Sequence, residues 1–166
     1  MGLFKREKTV KYQMRQDLIS IGDDYWIEDD QGNRAYHVDG KALRMRDTWI
    51  LKDHQGNEVA KIKEKKLTVR DTIKIETGGK EYKVKKALVG IRDRFVIETD
   101  GSNLKAHGNI VDHEYEIERD GDKVAEVSKK WFRLRDTYGV EVDADVDPAL
   151  ILSITVAIDS FSHDHG

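Results

Sequence analysis

The feature that most constrains this chain is a pair of apolar residues, two positions apart, that returns six times. The pairs are Tyr25/Ile27, Trp49/Leu51, Ile73/Ile75, Phe95/Ile97, Tyr115/Ile117 and Tyr138/Val140. Each occupies the seventh and ninth positions of a segment resembling Leu67–Glu76. The six segments start at Ile19, Leu43, Leu67, Val89, Asn109 and Phe132, spaced 24, 24, 22, 20 and 23 residues apart. A two-residue period throws successive side chains to opposite faces of a strand, so each pair predicts a strand with one buried face. After each of the first five segments comes a turn signal: Gln31-Gly32-Asn33, Gln55-Gly56-Asn57, Gly78-Gly79, Asp100-Gly101 and Asp120-Gly121. A shorter strand follows each turn, with apolar pairs Tyr36/Val38, Ala60/Ile62, Tyr82/Val84, Leu104/Ala106 and Ala125/Val127.

Each unit is therefore a hairpin with an apolar inner face and a polar outer one. Six first strands and five second strands make eleven, and Val10–Met14 supplies a twelfth. An open sheet of that length would leave two edges unpaired, so closure is expected. About eight strands already give a barrel whose interior side chains just fill it. A wider barrel has a hole along its axis. One stretch is suited to fill it: Ala149–Ile158, the most apolar run in a chain that is 37% charged. Asp147 and Pro148 read as the N-cap and first position of a helix. That helix has no wet face and needs something wrapped around it. The predicted fold is mainly β: a closed antiparallel barrel of six hairpin-like repeats enclosing a hydrophobic C-terminal helix over about residues 147–160. Residues 1–166 are read as a single domain, with 1–11 a candidate disordered lead-in.

Composition removes several function classes. Cysteine is absent, which excludes disulfides, thiolate metal sites and a cysteine nucleophile. The apolar run is about half as long as a bilayer-spanning helix, and no apolar segment follows Lys5 and Arg6 as a secretory leader requires. A cytoplasmic protein, at most peripheral to a membrane, is expected. A net charge of −3 gives no global signature of a nucleic-acid partner. No phosphate loop, dinucleotide fingerprint or zinc spacing appears, and no serine sits in a nucleophile elbow. With the lumen occupied by the helix, no catalytic residue, cofactor or metal is expected.

The motifs also carry a resemblance. They are Tyr12–Gln16, Ile21–Ile27, Lys66–Thr72, Leu88–Phe95, Asp112–Ile117 and Ser128–Val140, in that order along the chain. Together they resemble the LURP-one-related proteins, within the tubby C-terminal-like superfamily. The resemblance implies a twelve-stranded barrel with an axial helix. The wider fold includes tubby domains, which bind phosphoinositide headgroups, and phospholipid scramblases, which act at membranes; plant relatives are associated with pathogen response. The lipid-anchoring cysteine cluster of the scramblases has no counterpart here, so that activity is not carried over.

Three groups of residues invite a functional reading. The first is the repeated pair Arg46-Asp47, Arg70-Asp71, Arg92-Asp93 and Arg135-Asp136. A ring of such pairs could bind an ion or phosphate. The plainer reading, that Asp accepts backbone N–H groups at the hairpin corners, suits a feature repeated at equivalent points, and these are taken as structural. The second is a lysine cluster. Residues 41–90 carry a net +7, against −2 for residues 1–40 and −8 for residues 91–166. Alternation puts Lys61, Lys63, Lys83 and Lys85 outside, with Lys74, Lys86, Lys65 and Lys66 nearby. Such a patch draws anionic lipid, although Glu58, Glu64 and Glu81 are interspersed. The third comprises the histidines and tryptophans. Asp112-His113-Glu114 suggests a hydrolase, and His163-Asp164-His165 a weak metal ligand set. Trp26 and Trp131, on the non-core register, suit a protein interface. The leading expectation is a non-enzymatic binding or scaffolding module that meets anionic phospholipid surfaces through its basic outer face. A protein-interaction module is the alternative, and a hydrolase the weaker one.

Overall fold

The computed structural model describes residues 9–15, 25–39, 48–66, 71–86, 94–101, 103–131 and 137–164. Twelve antiparallel strands run in chain order: β1 (Thr9–Arg15), β2 (Tyr25–Asp29), β3 (Arg34–Asp39), β4 (Thr48–Asp53), β5 (Glu58–Lys66) and β6 (Asp71–Thr77), then β7 (Lys80–Lys86), β8 (Arg94–Glu98), β9 (Leu104–Asn109), β10 (Glu114–Arg119), β11 (Asp122–Ser128) and β12 (Thr137–Asp143). Every strand pairs with its neighbours in sequence, and β1 pairs with β12 to close the barrel. The closing seam runs the full length of β1, from Thr9 opposite Asp143 to Arg15 opposite Thr137. Thr9–Lys11 therefore belong to a strand, although they fall within the lead-in expected to be disordered. A short 3-10 turn, Lys129–Trp131, follows β11, and α1 (Pro148–Asp164) follows β12.

The predicted alternation decides which side chains face inward. Ile27, Val38, Leu51, Ile62, Ile75, Val84, Ile97, Ala106, Ile117, Val127 and Val140 are all buried. The axial helix is buried on every side from Ala149 to Ile158, and packs most closely on β5 and β6. Its N-terminus is built as the residues imply: Asp147 accepts the Ala149 N–H at 3.1 Å, and Pro148 takes the first helical position, where no N–H is needed. Two hydroxyls inside the apolar helix are satisfied along its own backbone. Ser153 donates to the Ala149 carbonyl at 2.6 Å and Thr155 to that of Ile151 at 2.9 Å. The helix extends past residue 160 because Phe161 still has a partner, the Phe95 ring at 5.2 Å.

The β2–β3 and β4–β5 turns share a chemistry. Asp29 accepts the N–H groups of Gln31 and Asn33, both at 2.9 Å, and Asp53 accepts those of Gln55 and Asn57 at the same distance. The Asn57 N–H is the main cause holding the Asp53 carboxyl below its ordinary pKa. Asp29 and Asp53 thus serve turns within hairpins; the repeated Arg-Asp pairs fall at other positions. Of those, Arg46, Asp47, Arg70, Arg92, Asp93, Arg135 and Asp136 lie outside the described residues, and Asp71 is described only as the first residue of β6.

Candidate functional site

The strand register sorts the lysine cluster into rows across the outer wall. Lys63 on β5 stands directly opposite Lys74 on β6, which stands directly opposite Lys83 on β7. With strands about 4.8 Å apart, the outer two are about 10 Å from each other. Like charges placed directly opposite are destabilising. Relief comes from the next row, in which Lys61 faces Glu76 and Glu76 faces Glu81.

Both of those acids turn to the central lysine. Lys74 Nζ lies 3.0 Å from Glu76 and 3.4 Å from Glu81. The hydrogen bond from Lys74 holds the Glu76 carboxyl below its ordinary pKa, and the same contact raises that of Lys74. Lys61 lies 3.8 Å from Glu58, and Lys85 lies 3.1 Å from Glu98. Lys63 and Lys83 form no ion pair among the described residues. The basic wall is thus less positive than a count of its lysines, with its least compensated charges on Lys63, which still acts on Glu76, and on Lys83, which stands opposite Glu98 of β8. Lys86 does not join it. It pairs with Phe95 on the inward register, the same face as Val84. Lys105 extends the wall instead, in the row that runs from Lys85 through Val96. Only cross-strand register reveals that, because Lys105 is remote from the other lysines in sequence. Lys65 and Lys66 are described as backbone only.

Nearly across the barrel, β10, β11 and β12 carry the inverse arrangement. Glu116 faces Glu126, and Glu126 faces Glu141. Lys123 holds Glu126 at 2.8 Å and Lys11 holds Glu141 at 3.8 Å. On the other side, Glu116 faces His107 of β9. Sequence reasoning missed this row, although the −8 of residues 91–166 was its signal.

The three residues of the suggested hydrolase site point three ways. Asp112 bonds Asn109, which donates to it at 2.7 Å. Glu114 accepts from the Ser128 hydroxyl and the Lys129 N–H, both at 3.0 Å. His113, at φ 53°, turns toward the helix. Its ring stacks on Tyr138 at 4.2 Å, and its Nδ1 lies 3.6 Å from an oxygen of Asp159. Tyr138 donates to the other Asp159 oxygen. Tyr115 is buried alongside, and burial pushes its phenol well above the ordinary value. This constellation ties the helix to the barrel wall and does not assemble Asp112, His113 and Glu114. The side chains of His163 and Asp164, and all of His165, lie outside the described residues.

Both tryptophans are half-buried and covered by their own chain. Trp26 lies against His37, its cross-strand partner, at 4.9 Å, with the Arg34 guanidinium 5.0 Å from its ring. The Lys11 ammonium lies 5.2 Å from the Trp131 ring.

A family model, LURP-one-related, matches residues 10–159 of this chain. The chain belongs to the LURP-one-related family. The matched span runs from β1 to the buried part of α1, so what defines this LURP-one-related chain is the barrel with its helix. A crystal structure of a protein from Arabidopsis thaliana is similar, with a TM-score of 0.67 and 18% sequence identity, over 93% of this chain and 91% of that one. Identity at that level carries the fold alone. A search of the curated proteins found no match. Among the described residues of this LURP-one-related chain, no helix is long and apolar enough to cross a membrane.

Proposed function

We propose that this LURP-one-related protein is a non-enzymatic binding module that docks on anionic phospholipid surfaces through the outer wall of β5–β7. One observation carries the reading: Lys63 and Lys83 flank Lys74 in a single row, and neither is in an ion pair among the described residues. Lysines near an anionic bilayer contribute about 1 kcal/mol each. Two lysines outside any ion pair among the described residues, beside the ion-paired Lys61 and Lys85, make association weak and charge-driven. It fades when the wall is more than about 8 Å from the surface at physiological ionic strength. The acidic wall nearly across the barrel adds direction, since it is repelled by the surface that attracts the basic one.

The protein-interface reading is less well supported, because each tryptophan is already capped by a cation of its own chain. A hydrolase is less supported still, with His113 engaged by Asp159 and Tyr138. The test is co-sedimentation with phosphatidylserine-containing and phosphatidylcholine-only vesicles at low and physiological salt. The wild-type chain prefers the anionic vesicles and loses that preference as salt rises. In Lys63→Glu/Lys83→Glu binding falls by at least tenfold, while the urea midpoint stays put because both side chains face water. Equal binding to both vesicle types sinks the proposal.

A further inference from the structure

On the acidic wall one histidine and two glutamates converge. Ligand atoms of His107, Glu116 and Glu118 all lie within 4.8 Å of one another. We propose that these three side chains, on the outer face of β9 and β10, form a binding site for a divalent transition-metal ion, with zinc as the first candidate.

The donor set selects the class of ion. Imidazole nitrogen with carboxylate oxygen suits zinc and its borderline neighbours, whereas calcium and magnesium take oxygen alone. Zinc bonds of 2.0–2.2 Å in tetrahedral geometry put donor atoms roughly 3.3–3.6 Å apart. His107 Nε2 and Glu118 Oε1 are already 3.0 Å apart, so rotation of the Glu116 side chain is the main movement needed. Three protein ligands leave a fourth position for water.

The platform is rigid. His107 and Glu116 are direct cross-strand partners, Glu118 lies two residues further on the same face, and both strands are paired on both sides. A register shift after Ile117 in the pairing with β11 falls at Glu118. Beside His107, Gly108 has φ 137°, and a Cβ there would meet the Glu114 carbonyl oxygen at 2.7 Å. The close approach of β9 to β10 at this point therefore requires glycine. His107, Glu116 and Glu126 line an open recess of about 400 Å³. Glu126 is held by Lys123 at 2.8 Å, so it is not assigned as a ligand.

Electrostatics favour a cation at Glu116. In the row Glu116–Glu126–Glu141, the second and third carboxylates have lysine partners and Glu116 has no ion pair among the described residues. Arg94 opposite His107, and Lys105 and Lys123 opposite Glu118 on either side, are neighbouring positive charges that oppose the metal. The metal needs the imidazole lone pair, so binding weakens on acidification.

Calorimetric titration of zinc chloride into chelator-treated full-length protein tests the site. One equivalent binds to the wild-type chain, and zinc raises its thermal midpoint. His107→Ala and Glu116→Gln each weaken binding at least tenfold and abolish the thermal shift, with unchanged circular dichroism in the absence of metal. His163→Ala/His165→Ala leaves both readouts as in wild type. Two results overturn the proposal. One is no saturable zinc binding by the wild-type chain. The other is binding that survives His107→Ala and disappears in the tail variant, which moves the metal to residues 163–165.

Discussion

The barrel carries two walls that break the same rule with opposite signs. On β5–β7, three lysines stand directly opposite one another; on β10–β12, three glutamates do. Each row is a cross-strand arrangement that is unfavourable by itself. The walls differ in where the relief falls. Glu76 and Glu81 both engage the middle lysine, leaving the lysines of two strands about 10 Å apart. On the other wall Lys123 and Lys11 engage the second and third carboxylates, leaving Glu116 beside His107. Two spread positive charges suit a broad anionic surface. One carboxylate beside an imidazole suits a single cation. The distribution of partners, more than net charge, separates the two chemistries.

The comparison is broken most completely from inside. Both walls exist only while the barrel closes around α1. Leu150, Ile151, Leu152, Ile154, Val156 and Ile158 are buried in it, and burying side chains of this kind is worth about 1.5–3 kcal/mol each. Their sum rivals the 5–15 kcal/mol by which a typical domain is stable. Truncation after Asp147 is therefore expected to abolish cooperative unfolding and, with it, any preference for anionic vesicles. A soluble truncated chain with a sharp urea transition would show that the barrel stands without its helix.

A smaller perturbation separates the two faces of one strand. Ile75 and Lys74 are neighbours on β6, one fully buried and the other on the outer wall. Ile75→Ala is expected to destabilise by about 2–5 kcal/mol through lost burial and a cavity. Lys74→Ala is expected to move the urea midpoint far less, as the loss of outer-face ion pairs usually does. Urea denaturation measures both. A Lys74→Ala loss comparable with that of Ile75→Ala would mean that the outer ion-pair row holds the barrel together.

Smaller still, Glu76→Gln removes the nearer carboxylate from Lys74. If the basic wall meets a membrane, releasing part of that charge is expected to strengthen association with anionic vesicles by up to about 1 kcal/mol, roughly fivefold. Glu126→Gln, the equivalent change on the acidic wall, is expected to leave vesicle binding within twofold of wild type. Equal gains from both would reduce the effect to net charge, and the walls would cease to be distinct.

Much of this architecture was legible because a period of two is unambiguous when it recurs six times. Tyr138/Val140 and Ala125/Val127 declare their inward faces without any partner in view, and the apolar Ala149–Ile158 run needs an enclosed home. Charge partnership was not legible in that way. Whether Glu76 binds Lys61 or Lys74 depends on which residues stand opposite across two strand pairs, and on side-chain reach. Lys86 illustrates the limit. Beside Lys85 in sequence it looks like part of the cluster, but one residue of register puts it on the face of Val84. His113 is the other case. Its neighbours Asp112 and Glu114 suggested a dyad, whereas its carboxylate partner, Asp159, is 46 positions away on the helix.

The last expected effect is confined to alkaline pH and lies between the walls, where β1 and β3 bring Tyr12 and Tyr36 together with ring centroids 5.9 Å apart. Burial, then the neighbouring Tyr12 and the carboxylates of Asp147 and Asp53, pushes the Tyr36 phenol up to about 12. Burial likewise raises that of Tyr12, with Asp29 the next cause. An unfolded tyrosine ionises near pH 10. Above that pH the unfolded chain releases a proton that folded Tyr36 still holds, so stability falls as pH rises. The contribution is fully present below about pH 10 and lost by about pH 12. Tyr36→Phe has no proton to release in either state, so its thermal midpoint is expected to decline less steeply than wild type across that window. Below it, the two midpoints are expected to run parallel. If the alkaline slopes coincide, the loss belongs to another phenol. Tyr12 and the fully buried Tyr115, both also raised by burial, are then the phenols that make the closed barrel sensitive to base.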